Sequence, residues 1–219
     1  MPQPHRNRVT PQGDIVAISL RGAWTGNRGC LHRGEEIVRE WGSPHWLICQ
    51  LQFKGWWHQQ WAPNRLTWLF FHDEAVAFAA GHRPCALCRR PSYTSYRDAF
   101  SGAGPRAGFN EIDRRLHGER LNRGTRRRRL HPAAWPELPD GTFVMDGGQP
   151  AIVFGRHLIA WSQDGYGDRR RRPRQGTAEM LTPPSTLVVL QSGYPVQIDA
   201  GVGFRLDRSV PTLENRSGG

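Results

Sequence analysis

Cys85-Ala-Leu-Cys88 sets two thiols three residues apart, a spacing that puts both sulfurs about one tetrahedral edge apart, as a zinc knuckle requires. Arg83, Arg89 and Arg90 flank the pair and favour the thiolate form. Zn2+ then needs two further sulfur or nitrogen ligands. Cys49, upstream in an apolar strand-like run, is one candidate; Cys30 and His32, which share a Gly-flanked loop, are the others. His72, beside a helix start, is the fallback. The competing reading makes Cys49 an apolar filler and leaves Cys85 and Cys88 redox-active or idle. Four cysteines with a local Cys-x-His supply enough ligands, so metal is the reading adopted, with Zn2+ as the expected cofactor.

A second constellation lies in Asn110–Arg120. Asp113 and His117 are i, i+4, so one helix face can hold a carboxylate beside an imidazole, with Arg120 a further turn along and Glu111 nearby. That is how a general base and an anion clamp could be built, and it would suit a nuclease-like hydrolase acting on a phosphate-containing substrate. The ordinary alternative is an amphipathic helix with charged pairs on its wet face, and it is preferred.

The third signal is arginine. Lys+Arg total 30 against 19 Asp+Glu, a formal charge of +11, and Lys54 is the one lysine. Genome base composition can set the Arg/Lys ratio, but it does not set the net charge. The excess is clustered at Arg126, Arg127, Arg128 and Arg129, and again at Arg169, Arg170, Arg171 and Arg172. Such runs are either solvated loops or phosphate contacts, and two of them favour a nucleic-acid partner, DNA before RNA. Trp57, in the run Trp56–Trp61, could add a stacking platform for unpaired bases.

The residues Asp73-Glu74-Ala75-Val76 and Ala80-Gly81-His82-Arg83-Pro84-Cys85-Ala86-Leu87-Cys88-Arg89-Arg90 together resemble the second half of the zinc-binding module of Ada-type DNA-repair methyltransferases. There, too, a short helix leads through Ala-Gly-x-Arg-Pro into Cys-x-x-Cys. The resemblance implies that Cys85 and Cys88 are zinc ligands and that the chain associates with DNA. The family's first half carries a Cys-x-x-x-Cys pair, one member of which accepts a methyl group from a DNA phosphotriester. No such pair occurs here, so zinc binding is implied and methyl acceptance is not, although Cys49 or Cys30 could be a displaced thiolate. The stretch from Gly26 to Arg90 is also similar to bacterial proteins of unknown activity.

The elements that must position these residues are short. Asp14–Leu20 and Trp46–Phe53 read as strands, with a return strand over Trp56–Trp61. Asp73 caps a helix over Glu74–Ala80, and Gly81 stands where a left-handed residue ends it. A second helix starts at Pro91–Ser92 with Tyr93, Tyr96 and Phe100 on one face. A third, capped by Asn110, buries Phe109, Ile112 and Leu116. A β meander follows over Thr142–Met145, Ala151–Phe154 and His157–Trp161, turning at Gly155-Arg156 and interrupted by the second arginine run. Thr186–Gln191 is a short helix or strand.

The fold class is therefore α+β: antiparallel strands and three or four helices around a zinc knuckle, then a small β-rich part. The expected division is residues 14–120 for the knuckle domain, 121–140 for an Arg/Pro-rich linker and 141–205 for the β-rich part, with loose tails at 1–13 and 206–219. A chain of 219 residues can bury a core without disulfides. No Walker A, G-x-G-x-x-G, G-x-S-x-G or H-E-x-x-H motif occurs. Apolar runs are too short to span a bilayer, and the N-terminus lacks a signal-peptide core, so the expected compartment is the cytoplasm. The leading expectation is a zinc-stabilised nucleic-acid-binding protein in repair or processing. A His117-based hydrolase and a thiol methyl acceptor stand as alternatives, and whether the chain is an enzyme stays open.

Overall fold

The structure, a computed structural model, describes residues 3–56, 59–122 and 128–199. In chain order the first part runs β1 (Arg8–Val9), β2 (Ile15–Val16), β3 (Trp24–Asn27), β4 (His32–Arg33), β5 (Glu36–Ile37), β6 (Leu47–Cys49), β7 (Leu69–Phe71), α1 (Glu74–Ala79), β8 (Arg83–Pro84), α2 (Arg90–Ser101) and α3 (Phe109–Arg120). The second runs β9 (His131–Ala134), a single 3-10 turn, β10 (Phe143–Asp146), β11 (Gln149–Phe154), β12 (His157–Ser162), β13 (Gly165–Arg171), β14 (Thr177–Met180) and α4 (Pro184–Gln191). The chain is α+β and strand-rich. No helix among the described residues is long and apolar enough to cross a membrane.

Two six-stranded sheets form, ordered β2-β1-β7-β3-β6-β8 and β13-β12-β11-β10-β14-β9, with β4 and β5 as a separate hairpin. The second sheet is antiparallel throughout, whereas β1–β7 and β6–β8 in the first are parallel pairs. Within the first sheet β3 and β6 approach too closely for a side chain. A Cβ on Gly26 would lie 1.9 Å from the Leu47 carbonyl oxygen and 2.8 Å from the Phe71 ring.

Helix α1 joins the two sheets. All six of its residues are buried. Ala77 and Phe78 enter the cluster built on the first sheet with Ile48, Phe71, Tyr96 and Leu116, while Ala75, Val76 and Ala79 pack on Phe143, Ile152 and Trp161 of the second. A helix apolar all round is one covered all round, and small alanines let both sheets approach it. Its single acid, Glu74, is 1% exposed and bonds Arg89 at 2.7 Å and the Tyr194 hydroxyl at 2.9 Å.

Both ends of α1 are those the sequence marks. The Asp73 carboxylate accepts from the Val76 N–H at 2.8 Å. Gly81 has φ +86°, its N–H bonds the Phe78 carbonyl, and the His82 N–H reaches the Ala77 carbonyl, so the helix closes in a Schellman motif.

Several elements depart from the sequence reading. Residues 54–61 do not form a return strand where they are described: Lys54 and Trp61 adopt left-handed backbone, with φ of +52° and +64°, and reverse the chain instead. The strands expected over Asp14–Leu20 and Trp46–Phe53 shrink to Ile15–Val16 and Leu47–Cys49, because their neighbours in the sheet are equally short. Gly108, not Asn110, is the N-cap of α3. Ile112 and Leu116 are buried as expected, but Phe109 is 52% exposed. The second arginine run does not interrupt the meander. Arg169, Arg170 and Arg171 are part of β13 and pair with Ile159, Leu158 and His157.

Candidate metal centre

The parallel pairing of β6 with β8 builds the site. Leu47 stands opposite Arg83 and Ile48 opposite Pro84, so the next residues on the two strands are Cys49 and Cys85. The Cys85 N–H donates to the Ile48 carbonyl at 2.9 Å and ties the strand ends together. Pro84 lacks an N–H, but β8 is an edge strand, where that loss is tolerated. The chain then turns: Arg89 N–H bonds the Cys85 carbonyl at 3.1 Å, Leu87 N–H points at Cys85 Sγ at 3.4 Å, and α2 starts with Pro91 in its first turn. That turn swings Cys88 back towards Cys49.

The sulfurs of Cys49, Cys85 and Cys88 all lie within 4.8 Å of one another. Zn–S bonds of about 2.3 Å in a tetrahedron place sulfurs about 3.8 Å apart, so rotamer adjustment suffices to close this set on a metal. Three soft, ionisable donors at the junction of two strands and a turn fit zinc. Among the described residues no fourth Cys, His, Asp or Glu joins the group.

Three sulfurs this close cannot all ionise without a cation. Contacts from Cys49 and Cys88, aided by the Leu87 and Cys88 N–H groups, hold the Cys85 thiol well below its usual range against the opposing effect of burial. Cys49 moves the other way, because its contacts with Cys85 and Cys88 leave it the proton donor and burial adds to that. The contact with Cys49 favours a Cys88 thiolate, but neighbouring Cys85 and burial outweigh it and leave Cys88 raised. A metal entering this set would displace the protons that Cys49 and Cys88 hold, so apparent zinc affinity should fall as the pH is lowered through neutrality. Competition with a chromophoric chelator across that range measures the dependence, and an affinity unchanged by pH contradicts it.

Cys30 and His32 are elsewhere. Cys30 Sγ faces the His32 carbonyl at 3.9 Å. The His32 ring spans Thr67 Oγ1 at 2.6 Å and the Ala62 carbonyl at 3.2 Å, with the Trp61 indole edge-on at 5.3 Å. His72 accepts from the Trp161 indole N–H at 3.3 Å.

The α3 constellation rearranges. Asp113 does not turn to His117. Buried at 1% exposure, it accepts Arg83 Nε at 2.8 Å and Nη2 at 2.7 Å, and its Oδ2 lies 2.6 Å from His45 Nδ1. His117 instead receives Arg120 Nη2–H on Nδ1 at 3.1 Å and packs against Trp41 at 4.7 Å. Burial, and then the Arg120 charge, lower its pKa. Glu111 is exposed. Spacing along α3 could not reveal that a carboxylate with two faces open would be claimed by β8 and by His45.

The arginine runs divide by exposure. Arg126, Arg127 and Trp57 lie outside the described residues. Arg128 turns inward and donates to the Ala79 and Leu181 carbonyls, while Arg129 is exposed and reaches the Gly118 carbonyl at 3.4 Å. On β13, Arg169 and Arg171 are exposed on one face; Arg170, on the other, forms a bidentate pair with Asp146. Arg172 donates to the Leu138 carbonyl at 2.7 Å. Compared with family models, with curated proteins and with solved structures, the chain matches none.

Proposed function

We propose that this chain is a zinc-stabilised protein that binds nucleic acid, DNA in the first instance, in a repair or processing setting. The observation that carries the reading is the convergence of Cys49, Cys85 and Cys88 at the β6–β8 junction, where the chain resembles the Ada-type module. Zinc there would cross-link two strand ends to the start of α2, which is a structural role. Residues from the Cys49 strand and the Cys85–Cys88 turn would hold the ion through thiolates.

The nucleic-acid part rests on charge and its placement. An edge strand with exposed Arg169 and Arg171 presents guanidiniums along one line on a chain of +11, and phosphates are the partners such a row suits. Because a cation-rich protein binds DNA at low salt regardless, affinity alone decides nothing. The test is the salt dependence of binding to a short duplex after Arg169, Arg170 and Arg171 are replaced by Ser. Arg170 is held by Asp146, so Arg169 and Arg171 are the phosphate pairings at stake, and at about 0.9 for each pairing removed the triple variant is expected to lower the log–log slope by about two. An unchanged slope removes β13 from the interface.

Methyl acceptance at a zinc-bound cysteine has one observation in its favour, the Cys85 sulfur only partly buried beside two other sulfurs. In that reaction a sulfur–carbon bond forms as the methyl–oxygen bond of a phosphotriester breaks, leaving a phosphodiester anion. Intact-mass spectrometry after incubation with alkylated DNA would show one stable methyl adduct, and its absence counts against this second reading.

A further inference from the structure

His45 holds the place beside Asp113 that helical spacing assigns to His117. Its Nδ1 lies 2.6 Å from Asp113 Oδ2, and the carboxylate is in turn gripped by Arg83 Nε at 2.8 Å and Nη2 at 2.7 Å. A carboxylate paired with a guanidinium is ionised and can only accept, so the proton of this contact belongs to His45 Nδ1. In the neutral ring Nε2 is then a bare lone pair. Among the described residues nothing bonds that nitrogen, and the His45 side chain is 42% exposed against 2% for Asp113. A buried acid thus fixes the tautomer and leaves a base open to solvent.

The ring is held as well as oriented. The Ser43 hydroxyl accepts the His45 N–H at 3.1 Å, Arg120 Nη2 donates to the Pro44 carbonyl at 2.6 Å, and the Trp46 carbonyl accepts the Arg83 N–H at 3.1 Å. The loop carrying His45 is therefore pinned to α3 before the histidine and to β8 after it. Packing explains little of this, because Arg83 already neutralises Asp113 and a half-exposed imidazole adds little burial. A base held in one tautomer by a buried carboxylate is what proton abstraction needs.

The groups beside it describe a substrate. The Phe109 ring is 52% exposed and its centroid lies 6.3 Å from that of His45, so an apolar face for stacking a base lies open next to the imidazole. Arg114, the residue after Asp113, is exposed and makes no hydrogen bond or ion pair among the described residues. Glu111, the exposed acid of the same helix, is paired with none of these groups. His117, one turn beyond Asp113, accepts from Arg120 on Nδ1, so its Nε2 carries the ring proton and can donate to a phosphate oxygen. No side-chain hydroxyl or thiol bonds His45 Nε2, so the proton it takes comes from outside the chain. A polyanion that carries its own hydroxyl next to each phosphate is RNA, and attack within one molecule gains most from a base fixed in place.

We propose that His45 is the general base of an RNA-cleaving site on α3, with Asp113 as its positioning residue and Arg114 as the cation at the scissile phosphate. His45 Nε2 takes the proton of a ribose 2′-hydroxyl. The 2′-oxygen forms a bond to the adjacent phosphorus as the bond from phosphorus to the 5′-oxygen breaks. The leaving oxygen takes a proton from water, and the imidazolium returns its own to solvent. The products are a 2′,3′-cyclic phosphate and a 5′-hydroxyl end. His45 leads into β6 of the first sheet, whereas β13 belongs to the second, so the site goes beyond the nucleic-acid reading above and is tested apart from it.

The test uses the zinc-loaded chain on a short single-stranded oligoribonucleotide of mixed sequence, beside DNA of the same sequence and RNA methylated at every 2′-oxygen. Wild type is expected to cut the unmodified RNA alone, and mass spectrometry to find 2′,3′-cyclic phosphate ends. His45→Ala should lower kcat about a hundredfold or more with zinc content and melting temperature unchanged. Added imidazole should restore part of the rate in His45→Ala, a rescue that neither a structural histidine nor a contaminating ribonuclease would show. Asp113→Asn keeps an oxygen for Arg83 but lets the imidazole carry its proton on Nε2, so kcat should fall about tenfold or more at unchanged KM. No cleavage of RNA by the wild type, equal cleavage of DNA, equal rates for wild type and His45→Ala, or an unaltered kcat in Asp113→Asn overturns the proposal, whatever the zinc and salt-slope measurements give.

Discussion

Cys88→Ser, or removal of metal by a strong chelator, is expected to lower the melting temperature by about 10 °C or more. Structural zinc contributes folding free energy directly, because the unfolded chain does not hold its ligands together. In this chain the ion would join β6, the end of β8 and the first turn of α2, three elements whose own strands and turns are only two to four residues long. Parallel pairs of this length contribute little by themselves, and the three sulfurs sit where β6 and β8 end. For a chain of 219 residues about 1 kcal/mol moves the transition by roughly 2–4 °C, so the expected shift corresponds to a few kcal/mol. Thermal scans with and without chelator measure it. Equal melting temperatures for the wild type, the chelated protein and Cys88→Ser would deny the ion any structural role.

Asp113→Ala carries the second large effect, a loss of about 3–5 kcal/mol in denaturant unfolding. Among the described residues the Asp113 carboxylate is the one acid paired with buried Arg83, which is 3% exposed and stacks its guanidinium 5.2 Å from the Tyr93 ring. Without Asp113 an unpaired cation stays in the interior, and His45 is left with no acceptor for its Nδ1. Arg83 belongs to β8, two residues before Cys85, so the damage reaches the metal centre. Weaker zinc retention should accompany the reduced stability. Asp113→Asn keeps an oxygen acceptor and should lose less. A change below about 1 kcal/mol for Asp113→Ala would show that water reaches Arg83 and that the pair is not insulated.

Local signals were legible wherever structure depends on near neighbours. Asp73 and Gly81 bound α1 because a cap and a left-handed stop act over four residues, and the Tyr93 and Tyr96 face of α2 is buried as its spacing indicates. The Gly155-Arg156 turn closes β11 on β12, with positive φ at Gly155 as expected of a two-residue hairpin. The Cys-x-x-Cys pair pointed to metal, and Cys49 was within reach of sequence reasoning because it sits in an apolar strand. Choosing Cys49 over Cys30 was not, since that choice depends on β6 lying beside β8, a pairing across more than thirty residues.

Alternation misled at Trp56–Trp61, where aromatic content favours a strand but Lys54 and Trp61 take left-handed backbone. The arginines were the hardest to place. Nothing local distinguishes Arg128, which enters the interior, from Arg129, which stays exposed; the difference is set by the Ala79 and Leu181 carbonyls and by Gly81. Arg28 lies in a Gly-Asn-Arg-Gly segment that reads as a surface loop, yet it is buried against Trp46 and His82. Burial of so costly a group becomes visible only when the Trp46 indole and the Gly13 carbonyl are placed around it.

The central claim is that Cys49, Cys85 and Cys88 share one zinc ion, and X-ray absorption at the zinc edge of the metal-loaded protein tests it most directly. Three sulfur scatterers at about 2.3 Å and one lighter ligand are expected, falling to two sulfurs in Cys49→Ser. Zinc with no sulfur in its first shell, or a spectrum unchanged by Cys49→Ser, would contradict the assignment.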